Sequence, residues 1–102
     1  MTTPEKLVKA KVKKILEEVG AYWAMPMGSG YGNSGVPDFL VCLQGQFIGI
    51  ECKANGNTPT ALQERHLKLI EETGGIAFVV DECNIDSFSA AMQVYKGANR
   101  NG

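Results

Sequence analysis

Val36-Pro37-Asp38-Phe39-Leu40-Val41-Cys42-Leu43-Gln44-Gly45-Gln46-Phe47-Ile48-Gly49-Ile50-Glu51-Cys52-Lys53 carries its charges only near its two ends. Between them, runs rich in Phe, Val, Leu and Ile flank Gln44-Gly45, the pattern of two strands joined by a two-residue turn. Glutamine tolerates positive φ less well than asparagine, so the signal is weaker than that of an Asn-Gly turn. With the turn at 44 and 45, pairing begins at Leu43 opposite Gln46, and each further step brings the two ends closer until Asp38 faces Glu51. Opposed residues share a face with Cβ atoms about 4.5–5.5 Å apart. Alternation then puts Lys53 on the face of Glu51 and turns the Cys52 side chain to the other. The opposite face, Phe39, Val41, Leu43, Ile48 and Ile50, is apolar throughout. Like charges directly opposed destabilise a sheet unless a cation lies between them. A divalent metal ion would meet that need; solvated strand ends, with Lys53 paired to one carboxylate, are the plainer alternative.

The rest of the chain supplies the setting. At 102 residues, with 44% hydrophobic and 21% charged residues, it has the size and composition of one globular domain. Cys42, Cys52 and Cys83 are odd in number and lack a C-x-x-C spacing, so neither a disulfide framework nor a zinc site is expected. Cys42 and Cys52, within apolar strands, read as small hydrophobes, and a reducing cytoplasm fits them best. The polar, lysine-rich N-terminus does not read as a signal peptide, and no apolar run approaches a membrane span. A net charge of −1 argues by itself against a nucleic-acid partner. Its distribution does not: Lys6, Lys9, Lys11, Lys13 and Lys14 all fall in the first predicted helix, and an acidic metal site lowers net charge without repelling phosphate once the metal is bound.

In chain order, Pro4 at a first helical position and the stripe Leu7, Val8, Val12, Ile15, Leu16 and Val19 predict a helix over 4–19, capped by Thr2 or Thr3 and stopped by Gly20. Glu5 lies on its inward side, where it can join the metal site, complete a Thr2-x-x-Glu5 capping box or simply favour the helix dipole. The lysines fall on the outer faces, available to phosphate or to solvent. Ala21–Met27 reads as a strand, with Pro26 marking its end or an edge position. Gly28 to Gly35 lacks the Gly-Lys-Ser/Thr ending of a nucleotide-binding loop and leads into a strand. It reads as a loop beside the site, where Tyr31 and free amides can touch a substrate backbone, or as a plain connector. Thr58-Pro59 announces a second helix to about Thr73. If Thr58 is the cap, Gln63 is free to face the site; if Thr60 is, Thr60-x-x-Gln63 is a capping box. His66 reads as a helix-surface or core-edge residue. Ile76–Val80 is a strand parallel to the one before the helix. Phe88, Met92 and Tyr95 mark a last helix over 85–95, followed by a tail.

Pro37-Asp38 on one hairpin strand and Glu51-Cys52-Lys53 on the next, in this element order, resemble the PD-(D/E)XK nuclease superfamily. The short chain, the Gly-rich run into Gly35-Val36-Pro37-Asp38 and Gln63 on the following helix resemble most its VRR-NUC branch, in the stand-alone form of phages and bacteria. The resemblance implies an α/β fold with a restriction-endonuclease-like core, a mixed sheet flanked by helices in the order α-β-β-β-α-β-α. It implies Mg²⁺- or Mn²⁺-dependent hydrolysis of DNA phosphodiesters, by a homodimer acting on branched DNA such as four-way (Holliday) junctions. Asp38 and Glu51 then carry over as metal ligands with the Cys52 backbone carbonyl, Lys53 as the catalytic lysine, Gln63 as its supporting residue and Glu5 as the first-helix carboxylate. Cys52 departs from the aliphatic residue usual at its position, which alters the side chain and leaves the carbonyl. The intact Asp, Glu and Lys set argues against a non-catalytic binding module. With only Arg65 and Arg100, and no Arg/Asn-rich reading segment, a nuclease specific for a base sequence is also disfavoured.

Overall fold

The hairpin forms in the expected register. In this computed structural model, which describes residues 2–27 and 35–98, β2 (Phe39–Leu43) and β3 (Gln46–Cys52) run antiparallel with Leu43 opposite Gln46 and Phe39 opposite Ile50. Gln44 and Gly45 take φ of 51° and 78°. Positive φ at both central residues is the mirror-image turn whose twist matches that of the flanking strands, and Gln44 accepts it at some cost. The expectations placed on the Gly28–Ser34 run, Tyr31 among them, and on the tail beyond Ala98 lie outside the described residues.

Around the hairpin the elements fall in the order α1 (Pro4–Glu18), β1 (Tyr22–Ala24), β2, β3, α2 (Ala61–Glu72), β4 (Ile76–Val80) and α3 (Ile85–Gly97). The sheet order is β1-β2-β3-β4. β1 joins β2 antiparallel and β4 joins β3 parallel, a mixed sheet as anticipated. Thr3 caps α1, its hydroxyl accepting from the Lys6 amide at 3.2 Å, and Gly20 leaves the helix at φ 73°. Among the described residues, no helix is long and apolar enough to cross a membrane.

Strand alternation sorts the two faces of the sheet. Phe39, Val41, Leu43, Ile48, Ile50 and Cys52 point to one face and are buried with Val8, Val12, Ile15 and Leu16 of α1 and Phe88 and Met92 of α3. Burial of each large apolar side chain contributes about 1.5–3 kcal/mol, which makes this the main source of stability. Trp23 stands edge-on to Phe39 at 5.7 Å, and Phe78 edge-on to Phe88 at 5.2 Å. The other face receives α2. A Cβ on Gly49 would lie 2.5 Å from Ile70 Cδ1, so the missing side chain lets Ile70 rest directly on β3. Gly35 serves similarly at the N-terminal end of α2, where a Cβ would meet the Leu62 carbonyl at 2.7 Å and His66 at 2.8 Å. Gly35 thereby seats the chain leading to Asp38 against α2.

Two expectations are corrected here. The second helix begins at Ala61 with Thr60 as its cap, not at Thr58-Pro59. A full capping box satisfies two otherwise unpaired amides, which outweighs a proline start. Cys42 is exposed rather than a small hydrophobe of the interior. It stands between Tyr22 and Phe47 on the α2 side of the sheet, and both of these neighbours are exposed as well.

Candidate active site and metal centre

One step beyond the last paired residues, Phe39 and Ile50, the register carries Asp38 towards Glu51 at the end of the sheet. Asp38 Oδ2 accepts the Cys52 amide at 2.8 Å, so the carboxylate bridges to the very strand that carries Glu51 and Lys53. Its Oδ1 points elsewhere, to Lys9 Nζ at 3.5 Å. Lys53 Nζ lies 3.5 Å from Glu51 Oε2. Lys53 leaves β3 just after its amide donates to the Val80 carbonyl at 2.9 Å, which anchors the backbone behind the site. The hairpin therefore brings Asp38, Glu51 and Lys53 together as its register requires.

Glu51 is the unusual member. It is only 3% exposed, and its Oε1 is buried without a hydrogen-bond partner among the described residues. Burial, then the neighbouring Asp38 charge, pushes its carboxyl up to about 7; Lys53 pulls the other way without restoring the ordinary value. A buried carboxylate oxygen with no donor is costly to keep ionised. A hard cation would satisfy it, and Asp38 Oδ1 and the Cys52 carbonyl are oxygen donors of the kind such ions take. The residues present fit a divalent ion. The Cys52 thiol takes no part: it is fully buried on the α1 side, and burial, with Asp38 adding to it, raises its pKa and keeps it protonated.

Glu5 reaches the site through Lys9. Thr3, not Thr2, caps α1, so no box engages the Glu5 carboxylate, which pairs with Lys9 Nζ at 3.4 Å. Lys9 is thus held between Glu5 and Asp38, and only 27% of its side chain is exposed. Burial works against its charge, but Asp38 and then Glu5 outweigh that and raise its pKa. The expectation that the first-helix lysines occupy outer faces fails for this residue. Its signal was present in the spacing: Glu5, Val8, Lys9 and Val12 fall at i, i+3, i+4 and i+7, one face of a helix. The oxygens of Glu5, Asp38 and Glu51 do not all lie within 4.8 Å of one another. Glu5 meets Asp38 through the shared Lys9 ammonium.

Gln63 is engaged at the start of α2. Its Oε1 accepts the Thr60 amide at 2.9 Å and its own amide donates to Thr60 Oγ1 at 3.2 Å, so the side chain closes the capping box of α2. Its observed hydrogen bonds are those of a helix cap, not of a partner to Lys53. A separate group, Asp81, Glu82 and Cys83, does bring three possible ligand atoms within 4.8 Å of one another. One oxygen of each carboxylate is already in use. Asp81 Oδ1 accepts the Cys83 and Asn84 amides, and Glu82 Oε1 accepts the Asn55 amide. This is a turn leading into α3.

A mixed sheet with helices on both faces, and Asp38, Glu51 and Lys53 at one end of it, defines the class of PD-(D/E)XK folds. No family model matches the sequence. The protein "Putative nuclease p44" of Acyrthosiphon pisum secondary endosymbiont phage 1 is 39% identical over 62 residues, which make up 60% of this chain and 67% of the phage protein. A solved "VRR_NUC domain" superposes with a TM-score of 0.73 at 28% identity, covering 85% of this chain and 95% of that one. A second, a "VRR_NUC domain protein", has the same fold at 16% identity and TM-score 0.63, over 93% and 89% of the two chains. The chain belongs to the VRR-NUC family of nuclease folds.

Proposed function

We propose that this protein is a divalent-metal-dependent DNA endonuclease that cuts branched DNA such as four-way junctions, acting as a homodimer in a cytoplasmic setting. The observation that carries the reading is the buried, unpartnered Glu51 Oε1 beside Asp38 and Lys53, at the end of the hairpin that defines the family's fold. Mg²⁺ or Mn²⁺, bound by Asp38, Glu51 and the Cys52 carbonyl, would polarise the phosphate and lower the pKa of a bound water.

The chain's own residues account for the rest. Hydrolysis joins a water oxygen to phosphorus, breaks the bond from phosphorus to the leaving oxygen, and ends with one water proton on that oxygen. Lys53, held by Glu51, presents a fixed positive charge to the extra negative charge that builds on the phosphoryl oxygens. Asp38 is fixed by the Cys52 amide and so keeps one oxygen directed into the site. Water is kept from Glu51 by the packing around it, and this strengthens each charge interaction there.

Support for a homodimer comes from the exposed apolar side of β1, β2 and the start of β3, where Tyr22 is 75% and Phe47 44% exposed around Cys42. Branched DNA is favoured over a base sequence because the chain offers few arginines for reading base edges.

The test is cleavage of labelled single-strand, duplex, flap and four-way-junction DNA with and without Mn²⁺. Metal-dependent cutting that favours the branched substrates is expected, and Glu51→Gln, Lys53→Met and Asp38→Asn should each abolish it. Asparagine is the better change at 38, because alanine would also strip the Cys52 amide of its acceptor, at about 1–3 kcal/mol. Undiminished cutting by purified Glu51→Gln would refute the mechanism, and binding without cleavage in Mn²⁺ would leave a DNA-binding module in its place.

A further inference from the structure

The metal site assigned above contains a positive charge that the reaction scheme does not use. Lys9 Nζ sits 3.4 Å from Glu5 Oε2 and 3.5 Å from Asp38 Oδ1, joining a carboxylate of α1 to one of the hairpin. Asp38 Oδ2 already accepts the Cys52 amide, and Lys9 stands against the other oxygen, Oδ1. An ammonium is a compact point charge on a flexible four-carbon stem. It can stand between two carboxylates and withdraw without any movement of the backbone.

We propose that Lys9 is an internal counter-ion of the metal-free protein: it occupies the cation's place against Asp38 Oδ1, tethers α1 to the site through Glu5, and is displaced when a divalent ion binds. This rests on the assignment of Asp38 and Glu51 as metal ligands and makes Lys9 a positioning residue, not a catalytic one. Two features of the site require such a group. Asp38 and Glu5 converge where α1 meets the end of the hairpin, and like charges placed so need a cation between them. Lys53 does not serve them, since its ammonium is paired with Glu51 Oε2. Metal binding then becomes an exchange of one cation for another, and the affinity for the ion is set partly by how firmly Lys9 holds on.

The experiment is calorimetric titration of Mn²⁺, without DNA, into wild type, Lys9→Met, Lys9→Gln, Lys13→Met and Glu51→Gln. Removing the competing ammonium should tighten Mn²⁺ binding about fivefold in both Lys9 variants, the scale of a partly screened ion pair. Lys13 lies one helical turn further on and is exposed, so Lys13→Met should stay within about twofold of wild type. Lys9→Gln covers the case in which Lys9→Met fails to fold. Unchanged or weaker binding in the Lys9 variants, or equal tightening in Lys13→Met, would overturn the role of Lys9 while leaving the metal site standing. Absence of binding in wild type, or wild-type binding by Glu51→Gln, would overturn the site itself and Lys9 with it.

Discussion

Glu51 is held where a carboxylate is expensive, and that cost depends on pH. Its pKa is about 7 in the folded chain, against an ordinary 4.5, because it is buried and faces Asp38. Between those values the folded protein keeps a proton that the unfolded chain has released. The contribution to stability is therefore complete below about pH 4.5 and is lost as pH rises through 7, by at most about 3 kcal/mol. Thermal unfolding of the metal-free protein should show a falling Tm from pH 5 to pH 7.5. Glu51→Gln should flatten that fall, and Mn²⁺ should reverse it in wild type by binding the ionised form. A Tm in Glu51→Gln that falls as steeply as wild type would mean that another group carries the dependence.

Elements made of local signals were legible in the chain, and those that needed a distant partner were not. The hairpin could be read because a turn and an alternation of side chains fix its register without help from the rest of the fold. Placing Asp38 near Glu51 then took no more than counting. The start of α2 could not be settled the same way, since Thr58-Pro59 and Thr60-x-x-Gln63 are both sound helix starts, and the choice of Thr60 is visible only in the structure. The same choice gives Gln63 a measurable role. Gln63→Ala should lower stability by about 1 kcal/mol in denaturant unfolding while leaving the rate of DNA cleavage at saturating Mn²⁺ within about twofold. A loss of cleavage without a loss of stability would return Gln63 to the chemistry. Lys9 was missed for a different reason. A lysine's stem packs on apolar surface while its charge seeks water, so charge alone suggested an outer face, although its spacing from Glu5 placed it inside.

Across the molecule, which face of the sheet a helix covers is not written in any one strand. Alternation made Cys42 look interior, but α2 lies over β3 and β4 and leaves Tyr22, Cys42 and Phe47 exposed. An apolar face of this kind suits a self-association surface. Phe47→Glu should leave the folded monomer intact and convert a dimer to monomer in sedimentation at the same concentration; a dimer that persists would place the interface elsewhere. The fold and its family follow from the hairpin and the sheet around it, and the proposed chemistry depends on where a cation binds. That position can be seen directly by anomalous diffraction from crystals soaked in Mn²⁺. A single strong peak within coordination distance of Glu51 Oε1 and Asp38 Oδ1 is the predicted result. A peak at Asp81, Glu82 and Cys83, or none beside Glu51, would contradict it.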